Sequence, residues 1–481
     1  MSLNKIMPCL TGLLAALLAN AALADDNDTP HYHSAGNQPG AMSSSFGETL
    51  QEGPSGGIWQ QDQLLGTMGG IRPWLGSYGI SLGLTETSEV LGNTSGGVKR
   101  GFDYDGLTTM TLQMDTQRAF GWYGGLFNVS GLDVHGSNLS AHNLGTLQTS
   151  SGIEADNGVR LWEAWYQQSF WKNQADVKIG QQSLDQEFMV SQNALLFVNT
   201  MFGWPMVPSA DMLSGGPAYP LSSPGARLRL QPTGPWSLLA GVFDDNPSGI
   251  SPTSDQDSQR LDRFGTNFRM SDSPLFIAEV QYSFPALGDL EYAGKEVLPG
   301  TYKLGGWYDA GQFADQRYGT DGLSLATGNG DPRLHRGNYS IYAVADQMLW
   351  RESPQDEESV SFFFRAMGTP QSDRNNVDFS LNAGLNYREP FEHREDDVLG
   401  LGVGYAHVSS AAAGLDVDSG SIKQNGETFV ELTYQYALAP WWALQPDVQY
   451  IFNPGAGIAD PNSGKRVGNE TVIGLRTNLT F

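Results

Sequence analysis

The chain has 481 residues, with 27 Lys and Arg against 52 Asp and Glu, for a net charge of −25 at pH 7. Phosphate binding needs clustered positive charge, so this balance excludes a nucleic-acid partner. The single cysteine, Cys9, excludes a fold stapled by intrachain disulfides.

In chain order, Lys5 is followed by the apolar run LTGLLAALLANAALA and then by DDNDTP. A short positive region, an apolar stretch too brief to span a bilayer and the Ala22-Leu23-Ala24 box read as a secretory signal peptide over 1–24, cut before Asp25. Cys9 leaves with it. Residues 25–70 are rich in Gly, Ser, Pro and Gln without a period, and read as a polar N-terminal arm. The arm has no heptads for a coiled coil and is too short and polar to be the folded domain of an adhesin. His31 and His33 have a spacing that could bind a transition metal, but they lie in this arm, so no metal site is expected.

From Gly79 onward, period-two alternation recurs. In FIAEVQYSF, Phe276, Ala278, Val280, Tyr282 and Phe284 oppose Glu279, Gln281 and Ser283; in FSLNAGLNYR, Phe379, Leu381, Ala383, Leu385 and Tyr387 oppose Ser380, Asn382, Gly384, Asn386 and Arg388. Sixteen such segments are predicted, at 79–90, 107–117, 122–132, 159–170, 175–182, 224–231, 236–244, 274–284, 301–311, 337–350, 357–367, 377–388, 397–408, 427–438, 441–452 and 471–481. After the leader there is no apolar run of roughly 18 residues to form a transmembrane helix, so a membrane location requires a closed barrel. The odd-numbered connections read as mostly long and the even-numbered ones as tight turns such as WKNQ, PTGP and AP. That rhythm fits an outer-membrane meander with both termini periplasmic. Trp74, Tyr78, Trp122, Tyr123, Trp162, Phe170, Trp171, Trp236, Tyr434, Tyr436, Trp441 and Trp442 fall near strand ends, where interfacial girdles sit. The fold class is therefore all-β, a transmembrane antiparallel barrel over 71–481.

The stretches GIRPWLGSYGISLGL, RLWEAWYQQSF, DVKIGQQSLDQEFMVSQNALLFVNTMFGWP, GGPAYPLSSPGARLRLQP, YAVADQMLWRE and WWALQPDVQYIFNPG, in that order from about Gly66 to Phe481, resemble the carbohydrate-selective porin (OprB) family of Gram-negative outer membranes. The resemblance implies sixteen strands and passive diffusion of glucose-like monosaccharides or polyols. It also implies a C-terminal strand whose Phe481 is read by the barrel-assembly machinery. Family members that serve small organic acids or aromatic carboxylates define the alternative function, and a homotrimer is one assembly the family allows.

A sugar channel needs an aqueous lumen, a constriction, polar side chains that replace hydration and aromatic faces for the sugar ring. The stretch between Gln182 and Pro224 is apolar enough to fold back into the lumen, and its middle reads as a short helix ended by Gly203 and Pro205. Alternation puts Lys178, Arg227 and Arg229 inward as a cationic stripe, and Glu163 and Trp165 inward against Trp162, Ala164 and Tyr166. Glu279, Trp307, Asp309, Arg365 and Arg388 are further inward candidates, with Asp346 preferred inward over Gln347. Opposed charges across a narrow pore would order water and offer paired hydroxyl partners; the same groups would otherwise hold the wall rigid. DVDSG at 416–420 lacks the distal Glu of a calcium loop and reads as solvated. With no G-x-S-x-G, H-E-x-x-H, C-x-x-C or Walker sequence, neither an enzyme nor a cofactor is expected.

Overall fold

Alternating segments in hydrocarbon must pair every backbone N–H and C=O among themselves, and the chain does this by closing a sheet on itself. The structure is a computed structural model that describes Trp59 and residues 61–284, 291–292, 295–353 and 358–481. The predicted signal peptide, His31, His33 and most of the N-terminal arm lie outside the described residues.

Among the described residues sixteen strands form one closed antiparallel barrel. They are β1 (Ile80–Ser95), β2 (Gly101–Asp115), β3 (Gly125–Gly136), β4 (Gly158–Phe170), β5 (Ala175–Gln182), β6 (Ser223–Thr233), β7 (Trp236–Asp244) and β8 (Pro274–Phe284), followed by β9 (Gly300–Gly319), β10 (Pro332–Arg351), β11 (Ser359–Gly368), β12 (Val377–Arg388), β13 (Val398–Val408), β14 (Gly426–Ala439), β15 (Trp442–Phe452) and β16 (Glu470–Thr480). Short helices are α1 (Ile71–Gly76), α2 (Thr116–Phe120), α3 (Thr200–Gly203), α4 (Met206–Asp211), α5 (Ser258–Leu261) and α6 (Ser410–Asp418). Each strand pairs with its sequence neighbour, and β16 closes on β1 with Thr85 opposite Thr480 and Val90 opposite Leu475. At the seam Leu64 N–H donates to Thr480 O at 2.9 Å, Phe481 N–H donates to Leu84 O at 2.9 Å, and the Arg72 guanidinium reaches the Phe481 oxygen.

The strand phases follow the alternation. On β8, Leu275, Ile277 and Glu279 are buried toward the lumen while Phe276, Ala278 and Val280 face out. Several sequence expectations change. The longest strands are β9, which runs on to Gly319, and β10, which begins at Pro332. β1 and β2 run further than the apolar pattern suggests, because Gly92 and Asn93 stay in register with Phe102 and Gly101; their connection is only residues 96–100. Trp162 does not join the outer girdle. The β3–β4 register shifts between Ser130 and Gly131, and the bulge turns both Trp162 and Glu163 inward, Trp162 being 1 % exposed beside Leu107, Leu132 and Ile153. Residues 416–418 are the last turn of α6, whose opposite, N-terminal end Ser409 caps, and Asp418 takes a two-point bond from Arg317 at 2.8 and 2.9 Å.

Candidate functional site

The long β5–β6 connection, residues 183–222, enters the lumen. Asn199 caps α3 by accepting the Met201 N–H at 3.0 Å, and Gly203, Trp204 and Pro205 stop that helix where the sequence signals it. Its apolar side packs on inward aromatics of the wall. Phe197 and Phe202 stack at 4.4 Å, and Phe202 meets Phe363 of β11 and Phe429 of β14 at 5.6 and 5.3 Å. Room for this comes from β13, whose inward positions include Gly400 and Gly402; a Cβ on Gly402 would lie 2.5 Å from Phe202 Cζ.

The polar backbone of the loop is satisfied by wall side chains almost all the way round. Glu163 of β4 accepts the Ser183 N–H at 3.0 Å, and Glu279 of β8 accepts the Met189 N–H at 2.9 Å. Lys303 of β9 donates to Val190 O at 2.7 Å. Asp346 of β10 accepts the Ser191 hydroxyl at 2.6 Å and the Gln192 and Asn193 N–H groups at 3.2 Å. Arg365 of β11, 1 % exposed, donates to the carbonyl oxygens of Met189, Met201, Phe202 and Gly203 at 2.5–3.0 Å. Glu431 of β14 accepts the Val198 and Asn199 N–H groups at 2.6 and 3.1 Å, and Gln445 of β15 donates to Leu196 O at 2.7 Å. A buried backbone polar group left unpaired costs about 1–3 kcal/mol, so these side chains fix the position of the loop.

The basic stripe of β5 and β6 is paired with carboxylates at contact distance. Asp176, fully buried on β5, pairs with Arg227 and, at 2.5 Å, with Arg229. Glu187 comes down from the loop to pair with Lys178 and, at 2.5 Å, with Arg227 Nε. Burial alone would raise the Glu187 carboxyl, but Arg227 and Lys178 outweigh it and bring it down to about 2. Lys178 Nζ also sits 4.3 Å from the centroid of the Trp165 ring. Trp307 is buried in the apolar cluster with Ile277 and Tyr342. Asp309 is buried on β9 and accepts the Gly311 N–H at 2.8 Å. Arg388, the last residue of β12, is exposed at the strand end. Gln347 bonds the outward Tyr302 hydroxyl, while Asp346 faces in.

Beside these bonds, space remains on one side of the loop. A cavity of about 190 Å³ lies between the loop and the wall of β1, β2, β15 and β16. Its wall side carries Thr85, Thr87, Thr109, Thr111, Gln445 and Arg476; its loop side carries Leu195, Leu196, Trp204 and Tyr219, with Ile153 from the β3–β4 connection. The wall face is hydroxyl-rich; the loop face is mainly apolar and aromatic, with Asp185, Asn199 and Thr200 among its residues. Arg476 Nε is held by Glu89 at 2.8 Å.

A sequence model described as the carbohydrate-selective porin, OprB family matches residues 99–481. The chain belongs to that family. It is a non-enzymatic porin of the Gram-negative outer membrane. Porin B of Pseudomonas aeruginosa is 24% identical over 446 residues, covering 87% of this chain and 91% of that protein. The putative porin QuiX of Acinetobacter baylyi is 24% identical over 450 residues, covering 88% and 94%. In structure, the chain is similar to the high-pH form of Pseudomonas putida OprB, with a TM-score of 0.74 at 23% identity over 88% of this chain and 99% of that one. Sequence reasoning about this OprB-family barrel missed Glu187, Lys303, Glu431 and Gln445. Alternation alone would have turned Lys303 and Glu431 inward, since both share parity with inward neighbours, and in TTMTLQMDT it sets Thr109 and Thr111 on the wet face opposite Met110 and Leu112; that a cavity lies beside them, and that Glu187 reaches the wall, has no signal without the loop's path.

Proposed function

We propose that this porin passes small uncharged sugars, glucose-like monosaccharides and polyols, by facilitated passive diffusion through the opening beside β1 and β2. The observation that carries the reading is the two-faced opening. A pyranose ring has hydroxyls at its edge and C–H groups on its faces, and the threonine wall and the Trp204 and Tyr219 side suit each in turn. Contacts of this kind are individually weak, which lets the solute leave. The other reading, passage of small carboxylates, draws on Arg476, but that cation is already paired with Glu89, and Lys178, Arg227 and Arg229 are paired with Asp176 and Glu187. Neutral solutes are therefore favoured. In this reading the end of the barrel with α1 and Phe481 faces the periplasm, and Phe481 is the handle for the assembly machinery.

The test is ion current through the purified porin in a planar bilayer, titrated with glucose, a disaccharide and quinate. Saturable block by glucose with little block by quinate supports the proposal. Block by quinate alone moves the assignment to the carboxylate channel.

A further inference from the structure

Two connections border the opening on the side away from the barrel wall: the β5–β6 connection, and Gly152 with Ile153 of the β3–β4 connection. The second is held in place by backbone atoms. Gln449 of β15 donates to Ser150 O at 2.8 Å, the Gly152 N–H donates to Val198 O at 2.8 Å, and the Thr200 N–H donates to Thr149 O at 3.1 Å. Further along the β5–β6 connection, the Tyr219 hydroxyl donates to Ile153 O at 2.8 Å. Residues 198–219 are thus closed on one dipeptide, Gly152-Ile153, by a backbone bond at one end and a phenol at the other.

Tyr219 is braced at both ends and along its ring. Its N–H donates to Asp185 Oδ2 at 3.2 Å, and that carboxylate takes the Ser183 hydroxyl on Oδ1 at 2.6 Å. The ring meets Trp162 edge to face, with 6.4 Å between centroids at 85°, and packs on the apolar cluster that Trp162 forms with Leu107, Leu132 and Ile153. Trp162 is buried, so the ring has no room to retreat toward it. Part of Tyr219 remains uncovered and lines the opening.

A tyrosine side chain has two torsions and a rigid ring, so one fixed at its backbone and at its hydroxyl is a spacer of set length. We infer that Tyr219 sets the upper size of the solutes that pass: it is the strut that holds the β3–β4 and β5–β6 connections at a spacing that admits one sugar ring and slows two joined rings. This rests on the passage of sugars proposed above and names the residue that limits their size. A solute wider than the gap must stretch the bond from Tyr219 to Ile153 or drive the ring into Trp162. The links at residues 149–152 join backbone to backbone and form with any side chain there. The link from Tyr219 is made by a side chain, and so it is the one through which sequence adjusts the spacing.

The test reconstitutes the purified porin in liposomes and reads swelling in isotonic glucose and in isotonic sucrose, as the ratio of the sucrose rate to the glucose rate. Tyr219→Phe keeps the ring and removes the hydroxyl, and is expected to raise the ratio about threefold. Tyr219→Ala removes the strut and is expected to raise it about tenfold. Tyr302→Phe removes a hydroxyl from the outward face of β9 and is expected to leave the ratio at the wild-type value. A wild-type ratio in Tyr219→Ala, or the same ratio in Tyr219→Phe as in Tyr302→Phe, would overturn the inference while glucose flux still supports the passage of sugars. Equal rates for sucrose and glucose through the wild-type porin would do the same. Glucose flux no greater than in protein-free liposomes would instead overturn the passage of sugars itself, and the size limit with it.

Discussion

Arg365 donates from Nη2 to the carbonyl oxygen of Met201 at 2.5 Å, so a guanidinium on the barrel wall holds the backbone of the loop that narrows the lumen. Four loop carbonyls share that one side chain, and Asn382 Oδ1 accepts from it on the wall side at 3.1 Å. Arg365→Met keeps much of the aliphatic volume and removes every donor. Each carbonyl left unpaired costs about 1–3 kcal/mol, less where water reaches it. The variant is expected to unfold at lower temperature on heat-modifiability gels and to show noisier, larger single-channel currents. Currents and stability both matching wild type would mean that the loop is held elsewhere.

Glu187 supplies the pH dependence of the same loop. Its folded carboxyl is at about 2 against an ordinary 4.5, so its stabilising contribution is complete above about 4.5 and is lost as pH falls toward 2. Asp211 works in the opposite sense: burial raises it, with the Asn376 and Val377 N–H groups opposing, so acid relieves it. The comparison that isolates Glu187 is Glu187→Gln against wild type. At pH 6 the variant is expected to be less stable and more anion-selective, because Arg227 and Lys178 lose a counter-charge. The stability gap should close between pH 4.5 and 2, as read by melting at each pH. A gap constant down to pH 2 would rule out the ion pairs as its source.

The phases of most strands were legible because a two-sided wall leaves alternation in each segment: Glu279 comes out lumenal from its neighbours alone, whereas in YAVADQMLWRE either face could be the oily one and Asp346 inward is only the preferred phase. The bulge at Trp162 was not, since one inserted residue leaves no mark on composition. The roles of the wall charges were equally hidden. Arg365 and Asp346 read as groups for solute or for each other, whereas their partners are backbone atoms of residues 189–203, more than a hundred positions away. Likewise 397–408 reads only as one more strand, and Gly400 and Gly402 within it acquire a reason only when Phe197 and Phe202 arrive against them.

The threonines of the opening provide a direct test of solute recognition. Thr109 and Thr111 are buried on β2 and line the cavity beside Thr85 and Thr87 of β1. Thr109→Val and Thr111→Val keep shape and remove one hydroxyl each. With a net hydrogen bond worth about 0.5–1.5 kcal/mol, each change should weaken glucose block about two- to tenfold while leaving the open-channel conductance within error. Unchanged block in the double variant would take the solute route away from this wall.

Gly402 controls how deeply the loop seats. A Cβ there would lie 2.5 Å from Phe202 Cζ and 2.8 Å from Phe197 Cε1, and the opposing aromatics are themselves pinned by Phe363 and Phe429. Gly402→Ala therefore forces the loop away from β13, and the direction left open to it is the cavity beside β1 and β2. Overpacking of this kind costs about 1–3 kcal/mol. The expected result is a lower melting temperature together with a smaller conductance, the reverse of the Arg365→Met currents. Gly468→Ala, where nothing lies within 4 Å, serves as the control and should change neither. If Gly402→Ala is less stable but conducts normally, the aromatics yield sideways within the cluster and the loop does not move as a body.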